Sequence, residues 1–244
     1  MNPDCTILVT SCDAYRDVEG PFLQLFRRYW KDCPFELVVN GETGCTDGFD
    51  RAILSGRGKT WSAMLAEALG QIDTPYVIMM MNDYFLSAPV DTALVLRRLA
   101  EAKERDALNF RLCPDPPRAV KNTAYAISCK VGIWNRAFLR DLAMRTKSAW
   151  EFERYGSFMF DENDPRPILV SEKLEFPFLD VIHKGYWEPF GIDLLHREGI
   201  SYDFSVRGAP PLHVRMKEAV KGFVFRLNPD LVTRVQNLFN AGKK

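Results

Sequence analysis

Surplus charge is the first thing this sequence lacks. Its 32 Lys and Arg balance 32 Asp and Glu, so the formal net charge is zero. Nucleic-acid binding draws on a strong basic field that releases counterions, and a balanced chain offers none overall. Only local basic patches remain open to it, and no nucleic-acid partner is expected. Long apolar runs are missing too: nothing approaches the roughly 20 apolar residues needed to cross a bilayer. The opening stretch MNPDCTILVT has no basic segment before its apolar residues and no long apolar core, so it does not read as an export signal. The six cysteines (Cys5, Cys12, Cys33, Cys45, Cys113, Cys129) contain no C-x-x-C pair. They read as reduced thiols, and a structural zinc site is not expected. Together these absences predict a soluble, cytoplasmic protein.

What is present fits one substantial α/β domain. The chain has 244 residues, 47% hydrophobic and 26% charged, close to an average globular composition. Thr6–Val9 is a short β-rich run, Pro21–Trp30 carries Phe22, Leu25, Phe26 and Tyr29 at helical spacing, and Phe35–Val39 reads as a second strand. Strand, helix, strand is how a parallel doubly wound sheet begins. A loop rich in Gly and Arg follows, GFDRAILSGRGK. Thr60 then stands as N-cap of the helix WSAMLAEALGQI. Asp91–Glu104 predicts another helix with Asp91 as its cap. Further strands are expected at Ala107–Leu112, Tyr125–Cys129, PILV and DVIHKGYW, with helices at Arg136–Ala143 and Phe190–Arg197.

One stretch raises a chemical question, Pro75–Pro89, PYVIMMMNDYFLSAP. Val77–Met81 has the unbroken apolar character of a strand buried on both faces, yet it runs straight into Asn82 and Asp83. In open α/β sheets, ligands bind beyond the carboxyl ends of the strands. A carboxylate at that edge is placed to hold a hard divalent cation together with substrate phosphates. The plainer alternative is that Asp83 caps the next turn.

The order of elements up to GRGKTWSAMLAEALGQIDTPYVIMMMNDYFL resembles the nucleotide-binding half of a GT-A-type glycosyltransferase. It is most similar to bacterial proteins of surface-polysaccharide synthesis with an acidic EDYFL-like or D-x-D-like segment after a long apolar strand. The likeness covers roughly residues 5–90, and its most specific part is Trp61–Leu86. The fold it implies is α/β and Rossmann-related: a mixed, mostly parallel sheet flanked by helices. Residues 1–212 would form the domain, with 1–90 the nucleotide-sugar half and 91–212 the acceptor half. Thr10, Ser11, Asp13 and Glu42 would line the base and ribose pocket. Arg57 and Lys59 would neutralise the donor phosphates, helped by the helix N-terminus behind them. Asp83 would ligate Mn²⁺ or Mg²⁺, with Asn82 bonded to ribose or to a metal-bound water. The family usually has an acid where this chain has Asn82 or Met81, which weakens metal dependence more than nucleotide-sugar binding.

For the acceptor side, SAWEFERYGSFMFDEND alternates carboxylates with rings, a composition suited to sugars. Glu151 ranks first as general base, then Glu153, then Asp161. His183 would complement Asp83 as a second metal ligand; its plainer role is a histidine satisfied by a neighbour. Tyr186 and Trp187 either wall the acceptor site or pack in the core. From His213 the composition turns basic, and residues 213–244 read as an amphipathic tail. Either it docks on the domain or it touches an anionic membrane surface, where a lipid-linked saccharide acceptor would be found. The function implied is transfer of a sugar from a nucleotide-sugar to a glycan or lipid-linked acceptor. A non-catalytic nucleotide-sugar or carbohydrate-binding relative is the alternative. A nucleotidyltransferase ranks lower, because TSCDAYRD after the first strand has no glycine for a phosphate loop.

Overall fold

The computed structural model describes residues 2–114, 120–123, 125–161, 163–208 and 211. The basic tail expected over 213–244 lies outside them. Helices flank a seven-stranded sheet in the order β3-β2-β1-β4-β7-β6-β8. Strands β1 (Cys5–Thr10), β2 (Glu36–Gly41), β3 (Arg51–Leu54) and β4 (Tyr76–Met81) are mutually parallel. β7 (Gly132–Asn135) runs against both β4 and β6 (Asn109–Arg111), and β6 is parallel to β8 (Ile168–Val170). The result is the mixed, mostly parallel, Rossmann-like sheet that the sequence predicts.

Alternation along the central strands explains why both faces are covered. Ile7 and Val9 of β1, with Ile78 and Met80 of β4, pack into one core with Phe22, Leu25 and Phe26 of α1 (Glu19–Tyr29). Leu8, Val77 and Met79 point the other way, against Leu65 and Leu69 of α2 (Trp61–Gly70). Successive side chains of a strand face opposite sides, so a run apolar at every position needs a helix layer on each. α3 (Thr92–Glu104) joins the first layer; α4 (Arg136–Met144) and α5 (Ala149–Gly156) join the second. The expected caps hold, with Thr60 Oγ1 accepting from Ala63 N–H at 3.2 Å and Asp91 Oδ1 from Leu94 N–H at 2.9 Å.

Outside the main sheet, β5 (Tyr84–Leu86) pairs with β9 (Phe178–Asp180), and β10 (Ile182–His183) with β11 (Tyr186–Trp187), before α6 (Pro189–Arg197). Gly191 lets α6 approach closely: a Cβ there would meet Val181 Cβ at 2.7 Å.

Two expectations are corrected. The Gly- and Arg-rich loop contains β3, whose Arg51 guanidinium bonds both oxygens of Glu36 on β2 at 2.9 and 3.0 Å. Tyr125–Cys129 is not a strand. Tyr125 has a φ of 61°, and the N–H groups of Ile127 and Cys129 go to Ser157 Oγ and Glu153 Oε1 instead of a ladder. The strand begins at Gly132. No helix among the described residues is long and apolar enough to cross a membrane.

Candidate functional site

Thr10 and Met81 are partners at the carboxyl ends of β1 and β4. The chains leave the sheet there and part around a cleft of about 240 Å³. Thr10, Ser11, Cys12 and Tyr15 form one wall, Met81, Asn82 and Asp83 the other. Trp61, the first residue of α2, and Ala149, the first of α5, also line it. The cleft lies where an open α/β sheet binds its ligands, and the N-terminus of α2 adds partial positive charge beside it.

A buried polar chain sets the shape of the walls. Asn82 Nδ2 donates to Ser11 Oγ at 2.8 Å and to the Tyr15 carbonyl at 2.9 Å. Ser11 Oγ donates to Glu19 Oε1 at 2.5 Å, and Glu19 Oε2 accepts from Thr46 N–H at 2.7 Å. Behind Tyr15 stands Arg207, its guanidinium carbon 4.4 Å from the ring centroid. Arg207 also bonds Asp17 at 3.1 and 3.2 Å and the carbonyls of Ala14 at 2.6 Å and Gly185 at 2.9 Å. The segment around Arg207 therefore straps the loop after β1 in place.

Asp83 is the charged group of the wall. The residue is 8% exposed, and its buried Oδ1 meets no hydrogen-bond partner among the described residues. Burial above all, then the charge of Asp180, pushes its carboxyl up to about 7, against the opposing pull of its own backbone N–H and then of Lys130 and Arg207. The β5–β9 ladder brings Asp180 near by setting it opposite Tyr84, while Val181 N–H donates to the Asp83 carbonyl at 3.0 Å. Lys130 Nζ bonds Asp180 Oδ2 at 3.1 Å.

No family model and no curated protein sequence matches the chain. Solved structures do resemble it. The chain is similar to S. aureus TarS 1-349 at 14% identity and a TM-score of 0.44, over 69% of this chain and 58% of that one. It is similar to the same fragment in complex with UDP-GlcNAc at 11% identity and a TM-score of 0.40, over 70% of this chain and 59% of that one. A cytidylyltransferase from Leptospira borgpetersenii serovar Hardjo-bovis is similar at 10% identity and a TM-score of 0.47, over 86% of this chain and 99% of that one. The chain thus spans little more than half of the TarS fragment. At these scores the likenesses assign neither family nor activity.

Of the residues the sequence nominated, Thr10, Ser11, Asn82 and Asp83 meet in the cleft. Asp13, Glu42 and Arg57 form a cluster of their own in the adjoining loops. Glu42 Oε2 accepts from Asp13 N–H at 2.8 Å, and Asp13 Oδ2 accepts from Thr43 Oγ1 at 2.8 Å and Arg57 Nε at 3.2 Å. The Thr43 bonds, then that of Arg57, hold the Asp13 carboxyl down at about 2. Arg57 sits between Gly56 and Gly58, whose φ values of +78° and +85° bend the loop in a way that favours glycine. Lys59 pairs with Glu67 at 2.5 Å.

The three nominated bases stand outside the wall, and the structure shows what each holds. Glu151 Oε2 accepts from Lys147 N–H at 2.9 Å while Ser148 Oγ accepts from Glu151 N–H at 3.2 Å, an arrangement akin to a capping box. Glu153 Oε1 accepts from Cys129 N–H at 2.7 Å and Ser128 Oγ at 3.1 Å. Asp161 Oδ1 accepts from Asn163 N–H at 2.9 Å. Trp187 is fully buried against Phe85, Tyr202 and Phe204, in the core.

His183 lies on β10 opposite Tyr186. Among the described residues, no three His, Cys, Asp or Glu side chains gather to hold a metal ion. Asp83 and its neighbouring acid Asp180 fit a shared resident ion poorly, because Asp180 Oδ2 already holds the Lys130 ammonium. Sequence reasoning missed Tyr15, Glu19, Lys130, Asp180 and Arg207. Their neighbours along the chain carry no motif, and only tertiary structure assembles them.

Proposed function

We propose that the protein is a glycosyltransferase that moves a sugar from a nucleotide-sugar to a glycan or lipid-linked acceptor in bacterial envelope polysaccharide synthesis. The observation that carries this reading is the placement of Asn82 and Asp83 at the open carboxyl edge of β4, with Asp83 Oδ1 buried and unbonded among the described residues. A desolvated acceptor without a partner is costly unless a ligand completes it. The hydroxyls of a ribose or a sugar are the complement of such an oxygen. Tyr15 and Trp61 give the cleft wall aromatic surface for a base, and the N-terminus of α2 suits the phosphates. A cleft of about 240 Å³ takes the nucleoside portion and leaves the sugar toward the open side.

In the reaction, the acceptor oxygen bonds the anomeric carbon as its hydroxyl proton passes to solvent water. The bond from that carbon to the phosphate oxygen breaks, and the nucleoside diphosphate leaves with the electron pair.

One observation favours a second reading, a nucleotide-sugar-binding protein without turnover. Glu151 and Glu153 hold backbone N–H groups, and Asp83 is the one acid in the cleft wall among the described residues. A thermal-shift panel of UDP-, GDP-, dTDP- and CMP-sugars, with and without Mn²⁺, tests what both readings share, since a ligand of the native state raises Tm. Stabilisation by sugars of one base is expected, and Asp83→Ala is expected to lose it. A panel that leaves Tm unmoved would overturn both readings. Release of nucleoside diphosphate, or of CMP from a CMP-sugar, in the presence of acceptor glycans then separates the transferase from the binder.

A further inference from the structure

The resemblance carried by the sequence puts a divalent cation beside Asp83, but the protein has built a cation of its own there. β7 runs antiparallel to β4, with Gly132 opposite Met79. Residues that precede β7 therefore lie beyond the carboxyl end of β4, on the edge where Asn82 and Asp83 emerge. A parallel strand would bring its last residues to that edge; this reversed strand brings Lys130.

The lysine is held in place from several sides. Glu153 Oε1 fixes the turn before it through Cys129 N–H and Ser128 Oγ, and Lys130 N–H donates to Ser128 Oγ at 3.2 Å. The ammonium bonds Asp180 Oδ2 at 3.1 Å and lies 5.3 Å and 5.8 Å from the ring centroids of Tyr84 and Phe178. Ring faces attract a desolvated cation, so the charge is stabilised while its side chain is only 27% exposed. Tyr84 directly follows Asp83, and Asp180 is its ladder partner. Of the three N–H donors of an ammonium, one is bonded among the described residues. A divalent ion between Asp83 and Asp180 would have to displace or sit against this ammonium, and like charges at such range repel. Arg207, the other cation near Asp83, is committed to Asp17 and two carbonyls.

We propose that Lys130 stands in for a divalent cation: it neutralises Asp180 in the free protein and the donor diphosphate in the complex, so that nucleotide-sugar binding needs no metal. Its second half rests on the nucleotide-sugar reading of the cleft. Its first half does not.

Two measurements test it. The first titrates Mn²⁺ alone, followed by electron paramagnetic resonance, into the full chain, Asp83→Asn, Lys130→Met, and Lys130→Met combined with Asp83→Asn. The wild-type chain is expected to leave Mn²⁺ free at millimolar concentration. Lys130→Met should bind it at least tenfold more tightly, and the added Asp83→Asn should abolish that gain. Micromolar Mn²⁺ binding by the wild-type chain, lost in Asp83→Asn, would overturn the proposal whether or not Lys130→Met folds. The second repeats the nucleotide-sugar thermal shifts in EDTA. The wild-type shift should persist, Lys130→Met should regain its shift only with Mn²⁺, and Lys130→Arg should keep most of it without metal. An undiminished shift for Lys130→Met in EDTA would reject the lysine's role. If no nucleotide-sugar stabilises the wild-type chain, the transferase reading fails, and the Mn²⁺ titration still decides the place of Lys130.

Discussion

Asn82 Nδ2 lies 2.8 Å from Ser11 Oγ and 2.9 Å from the Tyr15 carbonyl, so the turn after β4 hangs from the turn after β1. A carbonyl only accepts, which means that position 82 requires a donor. An acid here would set a carboxylate oxygen against that carbonyl. Asn82→Asp and Asn82→Ala are each expected to cost about 1–3 kcal/mol, the usual effect of unpairing a buried polar group. Urea unfolding should show a lower midpoint at an unchanged slope.

Asp83 should make stability fall as pH rises. Its folded-state carboxyl titrates at about 7, against an ordinary value of 3.8. Between those values the folded chain binds more protons than the unfolded one, so stability declines from about pH 4 to pH 7 and levels off above. Asp83→Asn removes the buried charge and should flatten that slope, raising Tm by several degrees at pH 8 and little at pH 4, while abolishing nucleotide-sugar binding. Melting curves across that pH range, with ligand titrations beside them, check both halves.

Glu153 holds the turn that delivers Lys130. Glu153→Ala should destabilise by about 1–3 kcal/mol, because Cys129 N–H loses its acceptor inside the fold. Glu153→Gln keeps an oxygen for that bond and should recover most of the loss. If both variants instead melt like the wild-type chain while turnover collapses, Glu153 acts as an acid or base and not as a support.

Arg207→Ala should loosen the wall that Tyr15 forms. The side chain is 9% exposed, and its removal leaves Asp17 with Tyr202 as its remaining hydroxyl donor among the described residues. A loss of about 2–3 kcal/mol is expected from breaking one side of a mostly buried pair. Hydrogen exchange should quicken over 13–18 and 200–208, and nucleotide-sugar affinity should fall with it. Exchange confined to 200–208 would show that the strap does not support Tyr15.

Local signals made the first half of the fold readable. Unbroken apolar strands, helical spacing and the caps Thr60 and Asp91 are set by neighbours in sequence, and they appear where expected. Non-local choices were hidden. Tyr125–Cys129 has β-like composition, yet side chains of α5 and the turn after it take its N–H groups, and the strand starts later. The carboxylates of α5 suggested sugar chemistry because they alternate with rings. Ser148-x-x-Glu151 was also a readable helix-start signature, and that is how the segment folds. The edge bearing Asn82 and Asp83 could be located because strand ends mark clefts in such sheets. Lys130, Asp180 and Arg207 could not, since the reversed strand, the β5–β9 ladder and a distant strap bring them in.

That strap also constrains how the protein comes into being. Arg207 and Asp17 are 190 residues apart in the chain, so the first loop waits for all the residues between them before this support arrives. During synthesis from the N-terminus, β1, α1 and β2 can assemble early, while the Tyr15 loop stays unanchored until position 207 leaves the ribosome. A nascent fragment cut short just before it would carry all seven strands of the sheet and a slack Tyr15 loop, so the support of that loop is acquired only after the sheet.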